Sequence, residues 1–129
     1  MKMQNNNLYP VNITHIKIMM TISLLNKEQL YPNVRGVEEI LNGNNDKYDY
    51  LDTYMTLVSV KGRKLCSMIT NLIRHKYITY IYDDNSDDMY LKITDFGQSF
   101  LDNYLSKHQI KLNKKVRVSR PNIVYIKSK

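Results

Sequence analysis

The sequence lacks the features that mark a secreted, membrane or nucleotide-hydrolysing protein. Its single cysteine, Cys66, excludes an internal disulfide and is typical of a reducing cytoplasm. No stretch approaches the roughly 18 consecutive apolar residues that a membrane span needs, and the first ten residues contain too short an apolar run for a secretory signal. Neither of the common glycine-rich phosphate-binding motifs occurs. We therefore expect a cytoplasmic protein that does not contact a membrane.

The chain also offers little for catalysis or metal binding. Its three histidines, His15, His75 and His108, are scattered, and none forms a motif with Cys66, which we interpret as a small core residue. The acidic run DDNSDD at 83–88 has oxygen ligands, but it lacks the glycine and the terminal glutamate of an EF-hand loop and is interpreted as an exposed turn. The sequence thus predicts a non-enzymatic protein with no cofactor and no metal site.

Positive charge is concentrated in two parts of an otherwise ordinary globular composition. The chain has 129 residues and is 43% hydrophobic, which suits one domain with one core. Residues 1–100 carry eleven basic and eleven acidic side chains, whereas residues 101–129 carry eight basic and one acidic, so this last segment holds the whole formal charge of +7. Residues 61–76 carry five basic side chains and no acidic one. Such concentration predicts a polyanionic partner, which we take to be DNA.

Hydrophobic periodicity and cap residues predict a mainly helical chain with one β-hairpin. Helical segments are expected over 12–27, 34–43, 50–58 and 62–75, and from Thr94 or Asp95 onward. Asn12 is the expected N-cap of the first helix, and Gly43 closes the second before a polar loop. The run over 77–94, rich in tyrosine and isoleucine, predicts two strands joined by the acidic turn.

The first predicted helix has apolar residues on two nearly opposite sides. One stripe consists of Ile13, Ile16, Met20 and Leu24, and the other of Ile18, Ile22 and Leu25. One stripe is expected to pack on the domain core. The other then needs a second cover, either the C-terminal tail or another protomer, so a homodimer through the first helix is one of two alternatives.

The helix over 62–75 separates an apolar side from a polar one. Its apolar stripe follows the spacing i, i+3, i+4, i+7 and consists of Leu65, Met68, Ile69 and Leu72. The opposite side carries six polar residues and no acid: Arg63, Lys64, Ser67, Thr70, Asn71 and Arg74. Cations suit phosphates, and arginine or asparagine suits base edges, so this side is interpreted as a DNA-binding face.

Several segments resemble the winged helix, in which a helix-turn-helix precedes a two-stranded wing. KGRKLCSMITNLIRHKYI at 61–78 resembles a recognition helix entering the first wing strand, and YLKITDFGQSFL at 90–101 resembles the exit from the wing. With VEEILNG and YLDTYMTLVSVKGRKL upstream, residues 34–101 resemble the RQC domain of RecQ-type helicases, and MarR-type winged helices are a more distant match. Lys76 stands where many relatives carry glycine, so we expect the preceding helix to end without its usual left-handed residue.

The resemblance implies an α+β winged helix-turn-helix with three helices, a β-hairpin wing and a C-terminal helix, followed by a basic C-terminal extension. The zinc subdomain and the motor of those helicases are absent from this sequence, so we expect a free-standing DNA-binding module. The expected organisation is an N-terminal arm over 1–11, the winged-helix domain over 12–106 and a basic tail over 107–129.

The predicted DNA-binding residues come from the helix, its flanks and the tail. They are Lys61, Arg63, Lys64, Ser67, Thr70, Asn71, Arg74, Lys76, Lys111, Lys114, Lys115, Arg117 and Arg120. Tyr80 and Tyr82 share one side of the first wing strand and are candidates for base stacking. The β-prone residues 123–126 predict a strand in the tail, docked on the first helix or on a partner.

Three functions fit this pattern. The first is binding of single-stranded or junction DNA in replication or recombination, with a mobile element as a possible source, because the acidic wing opposes a duplex backbone while tyrosines accept unpaired bases. The second is a dimeric transcriptional regulator that binds duplex DNA. The third is a subunit of a replication complex that binds a protein partner through the winged helix.

Overall fold

The computed structural model describes residues 11–42, 62–82, 88–107 and 123–126. These residues form an α+β structure with four helices and two antiparallel two-stranded sheets. In chain order the elements are α1 Ile13–Lys27, β1 Leu30–Pro32, α2 Val34–Leu41, α3 Gly62–Arg74, β2 Ile78–Tyr82, β3 Met89–Ile93, α4 Asp95–Lys107 and β4 Ile123–Tyr125. The predicted cap at Gly43 and the predicted helical segment over 50–58 lie outside the described residues.

Helix α1 passes through the centre of the domain. Asn12 caps it as predicted: its Oδ1 accepts a hydrogen bond from the backbone N–H of His15 at 3.0 Å, and its own N–H donates to Nδ1 of His15 at 3.1 Å. The helix contacts the other three helices, β1 and β3. Ile18 and Ile22, on the side expected to need a second cover, are fully buried within this chain. Another protomer is therefore not needed to cover this side, because it is already buried within the chain. The tail residues that precede β4 lie outside the described residues.

The end of α3 corrects a second expectation. The N–H of Lys76 donates to the carbonyl of Ile73 at 3.0 Å, and the N–H of Tyr77 donates to the carbonyl of Leu72 at 2.9 Å, which is the Schellman pattern of a helix C-terminus. Lys76 itself has a φ of 72°. The helix thus ends with a left-handed residue after all, although that residue is a lysine.

Helix α4 is anchored on the turn that follows α3. Thr94 caps it, since its Oγ1 accepts from the N–H of Gly97 at 2.9 Å. The same hydroxyl lies 2.6 Å from the carbonyl of Lys76, to which it donates. A Cβ on Gly97 would collide with the backbone carbonyl of Tyr77, so only glycine permits this close approach. Because α4 begins directly after β3, this contact also holds the β2–β3 hairpin against α3.

The two sheets lie side by side and are joined by the side chain of Asn26. Its Oδ1 accepts from the N–H of Ile93 in β3 at 2.8 Å, and its Nδ2 donates to the carbonyl of Leu30 in β1 at 3.0 Å. Strand β2 pairs with β3, which confirms the predicted hairpin, and β4 pairs with β1. A small second core of Tyr31, Tyr90 and Val124 forms between the sheets.

The strand predicted in the tail is present, but it pairs with β1 instead of docking on the first helix. Tyr31 of β1 is opposite Val124 of β4. The backbone N–H of Ile126 adds a hydrogen bond to the carbonyl of Gln29 at 2.9 Å. Within the described parts of the chain, no helix is long and apolar enough to cross a bilayer.

Candidate nucleic-acid interface

Helix α3 presents one stripe of polar residues that begins and ends with arginine. We call it the basic stripe, and its members, spaced by four, three and four residues, are Arg63, Ser67, Thr70 and Arg74. This spacing keeps all four on one side of an α-helix. All four are exposed, and α3 contains no acidic residue.

The opposite side of α3 explains why the basic stripe is turned outward. Leu65 and Leu72 are completely buried, and Met68 and Ile69 are nearly so, which confirms the predicted apolar stripe. These residues belong to the main core together with residues of α1 and α2. The packing of the apolar side thus fixes the rotation of α3 about its own axis, and the basic stripe is held at the surface.

The remaining predicted DNA-binding residues near α3 differ in accessibility. Lys64 is exposed beside the basic stripe, and Lys76 is exposed at the end of the helix. Asn71 is half-buried and already interacts within the protein, so it is less available than its helical position implies. Lys61 lies outside the described residues.

The hairpin supplies aromatic and apolar side chains beside α3. Alternation along the strands places Ile78, Tyr80 and Tyr82 of β2 on one face, opposite Ile93, Leu91 and Met89 of β3. The end of this face next to the core is buried. At the other end Tyr80 is 44%, Tyr82 63% and Met89 43% exposed. Both predicted stacking tyrosines are therefore accessible from solvent.

A groove separates α3 from this face of the hairpin. It encloses a cavity of about 180 Å³ whose deeper side chains include Ile69, Ile73 and Leu91. Cys66 and Thr70 of α3 line it together with Tyr80 and Met89 of the hairpin. Below, the groove means this cavity of about 180 Å³ and the residues that line it. Thr70 belongs to both the groove and the basic stripe, so the two features are adjacent.

Cys66 is exposed and is not a core residue, which corrects the sequence interpretation. It lies on the shoulder of the apolar stripe, as its position in the helix indicated, but the hairpin leaves the groove open above it. The groove continues past Cys66 into a second cavity of about 370 Å³, which Arg35 and Glu38 of α2 and Asp88 before β3 also line. Sequence reasoning missed the contribution of α2, because no local pattern connects Arg35 to α3.

The tail and the acidic turn are described only in part. The predicted tail cations, Lys111, Lys114, Lys115, Arg117 and Arg120, lie between α4 and β4, outside the described residues. Strand β4, which follows these residues in the sequence, pairs with β1. Asp88 is exposed, whereas Asp83, Asp84 and Asp87 lie outside the described residues. Within the described ranges, no three histidine, cysteine or acidic side chains group as metal ligands would.

Two titratable groups with shifted pKa values lie in the core and not on the basic stripe. Burial lowers the pKa of His15, whose side chain is 4% exposed. Burial raises the pKa of Tyr77, whose ring stacks on Phe96 with centroids 5.0 Å apart. Both shifts arise because the charged form loses water when it is buried.

Comparison with protein-family models, with curated proteins and with solved structures finds no match for this chain. Its function is therefore inferred from its own residues and geometry.

Proposed function

We propose that this chain is a non-enzymatic winged-helix protein that binds single-stranded or junction DNA through the outer face of α3. The order α1, β1, α2, α3, hairpin, α4 is compatible with a winged helix, in which α3 is the recognition helix and β2–β3 is the wing. The sequence resemblance to the RQC domain is part of this proposal. The observation that most supports DNA binding is the exposed basic stripe on a helix without acidic residues.

The length of the basic stripe suits several phosphates of one strand. Arg63 and Arg74 are eleven residues apart in the sequence, so they are separated by about 16 Å along the helix axis at 1.5 Å per residue. Phosphates follow one another at about 3.4 Å per nucleotide along the axis of a B-form strand, as in the paired arm of a junction. The two guanidinium groups can therefore bind phosphates a few nucleotides apart, with the hydroxyls of Ser67 and Thr70 between them.

The surroundings of the basic stripe favour DNA with unpaired nucleotides. Tyr80 and Tyr82 expose aromatic surface beside α3, and every nucleobase has a face that stacks on such rings. The exposed carboxylate of Asp88 lies on the hairpin, where a wing that follows a duplex backbone would require a cation. Single-stranded and junction DNA arise in replication and recombination, and we place the role of this protein there.

The other two functions differ in what the structure offers them. A dimeric regulator that binds duplex DNA gains no interface from the first helix, because the second apolar side of that helix is buried within the chain. A protein-binding subunit is favoured by the exposed apolar groups of Tyr82 and Met89 on the hairpin. Binding to a protein through such groups would depend little on salt, whereas phosphate binding depends on it strongly.

The proposal is tested by the salt dependence of binding. Fluorescence anisotropy would measure the affinity of the full chain for single-stranded, forked and duplex DNA of one sequence at about 50 and 200 mM salt. We expect single-stranded and forked DNA to bind more tightly than duplex DNA. The salt slope, the change in log affinity per unit of log salt concentration, should decrease in magnitude on a single strand by about 0.7 for each phosphate that a variant no longer neutralises. Arg63→Ala and Arg74→Ala should each lower the slope, while Lys27→Ala, at an exposed lysine in the last turn of α1, should leave it unchanged. Equal slopes in all four proteins would contradict the assignment of α3 as the DNA-binding helix.

A further inference from the structure

The groove between α3 and the hairpin has the shape and chemistry of a site for a small uncharged ring. Its volume of about 180 Å³ is below the roughly 300 Å³ at which pockets for drug-sized ligands begin. Its deeper part is apolar, with Ile69, Ile73 and Leu91, and Tyr80 supplies an aromatic wall. The thiol of Cys66 and the hydroxyl of Thr70 also line it and provide polar atoms.

The groove lies directly beside the basic stripe on α3. Thr70 lines the groove and is also the third member of the stripe, between Ser67 and Arg74. A phosphate held by Arg74 or Arg63 therefore lies beside the groove, and the base attached to the same strand is within reach of it. Lys64 and Asn71, on the opposite flank of α3, do not line the groove.

The distribution of charge determines which part of a nucleotide enters the groove. None of the residues that line the groove carries a charge. The cavity that continues from it carries Glu38 and Asp88 against one cation, Arg35, so its net charge is unfavourable for a phosphate. The cations that would bind phosphates lie outside, on the basic stripe. This arrangement admits an uncharged base and keeps its phosphates on α3.

We infer that the groove binds one unpaired nucleobase, stacked on Tyr80, from a strand whose phosphates lie on the basic stripe. This inference rests on the proposed function and narrows its substrate to DNA with at least one base out of the duplex. A paired base is stacked and hydrogen-bonded within the helix, and taking it out costs a few kcal/mol. The site therefore discriminates between paired and unpaired nucleotides without reading the sequence.

The first experiment removes the bases but keeps the phosphates. The full chain is titrated with a single-stranded oligonucleotide and with an oligonucleotide of equal length made only of abasic nucleotides, at the same salt concentration. We expect the abasic strand to bind about tenfold more weakly, as the loss of one base–aromatic stack predicts. Equal affinities would overturn the inference, because phosphates alone would then account for binding.

Substitutions test whether Tyr80 causes the difference in affinity between the natural and the abasic strand. Tyr80→Ala should weaken binding of the natural strand about tenfold and leave binding of the abasic strand unchanged, whereas Tyr80→Phe should retain the wild-type preference. Tyr125→Ala is a matched control, since Tyr125 is an exposed tyrosine of β4 that does not line the groove. Circular dichroism and the melting temperature of each variant verify the fold. A Tyr80→Ala protein that folds and still prefers the natural strand would overturn the inference.

Cys66 provides a measurement that needs no substitution. It is the single cysteine of the chain, it is exposed, and it lines the groove, so its rate of alkylation by N-ethylmaleimide reports on the occupancy of the groove. We expect a saturating natural strand to slow alkylation and a saturating abasic strand to slow it much less. Equal protection by the two strands, or none by either, would contradict base binding in the groove.

Failure of the inference and failure of the proposed function are distinguishable. If Arg63→Ala and Arg74→Ala lower the salt slope while natural and abasic strands bind alike, α3 binds DNA and the groove does not bind a base. If the two arginine variants change nothing, the proposed function itself fails.

Discussion

Replacing Lys76 by glycine is expected to stabilise the protein. Lys76 has a φ of 72°, and the left-handed conformation costs a residue with a Cβ about 1–2 kcal/mol. Glycine avoids this cost but loses about 0.5–1 kcal/mol more backbone entropy on folding. The lysine side chain is exposed, so its removal loses little packing. The net expectation is a gain of about 0.5–1 kcal/mol in the free energy of unfolding.

Thermal and urea unfolding followed by circular dichroism would measure this gain. A stabilisation of this size raises the melting temperature by about 2–4 °C, at roughly 4 °C per kcal/mol for a domain of this length. Gln29→Gly is a matched control, because Gln29 follows α1 with a φ of 63° and its replacement leaves the charge unchanged. If Gln29→Gly is stabilising and Lys76→Gly is neutral or destabilising, the account of this helix end is wrong.

Three further predictions concern the packing around α1 and α4. Gly97→Ala should destabilise the protein by about 2 kcal/mol, because the new methyl group collides with the backbone of Tyr77. The control is Ser99→Ala, at an exposed position of the same helix, which should not lower the melting temperature. The lowered pKa of His15 means that the unfolded chain binds a proton more readily than the folded protein, so stability should fall as the pH drops below about 6.5. His15→Gln retains a residue suited to the third position of the capping box. It should flatten the pH dependence of the free energy of unfolding, measured with urea between pH 5 and 7. An equally steep profile in this variant would exclude His15 as the cause of the pH dependence. Among the described residues no partner bonds to the buried hydroxyl of Tyr77, so Tyr77→Phe should raise the free energy of unfolding by about 1 kcal/mol, and a clear loss of stability would contradict this.

Local patterns were sufficient to predict α3 and the hairpin. The apolar residues of α3 repeat with helical spacing, and their burial leaves one orientation for the basic stripe. The alternating tyrosines and isoleucines of residues 78–82 likewise predicted a strand, and Asn12 predicted the beginning of α1. In each case the signal lies within a few residues of the element that it predicts.

Features that depend on distant parts of the chain were not predictable in the same way. The apolar residues of α1 lie on two nearly opposite sides, and periodicity cannot tell whether a neighbour in the same chain or another protomer covers Ile18. Leu30 pairs with Tyr125, 95 residues later, and no local pattern specifies that partner. The carbonyl of Lys76, the left-handed residue at the end of α3, accepts a hydrogen bond from Thr94, which is 18 residues later in the chain. Cys66 is exposed where it lines the groove beside the hairpin.

The central claim is that the outer face of α3 binds DNA, and mapping of amide chemical shifts tests it most directly. Labelled full-length protein would be titrated with a single-stranded oligonucleotide, and the amide signals followed by two-dimensional NMR. We expect the largest shifts at Tyr80, across the groove, and at the members of the basic stripe, and we expect a higher salt concentration to reverse them. Shifts confined to α4 or β4, with the amides of α3 unchanged at saturation, would contradict this claim.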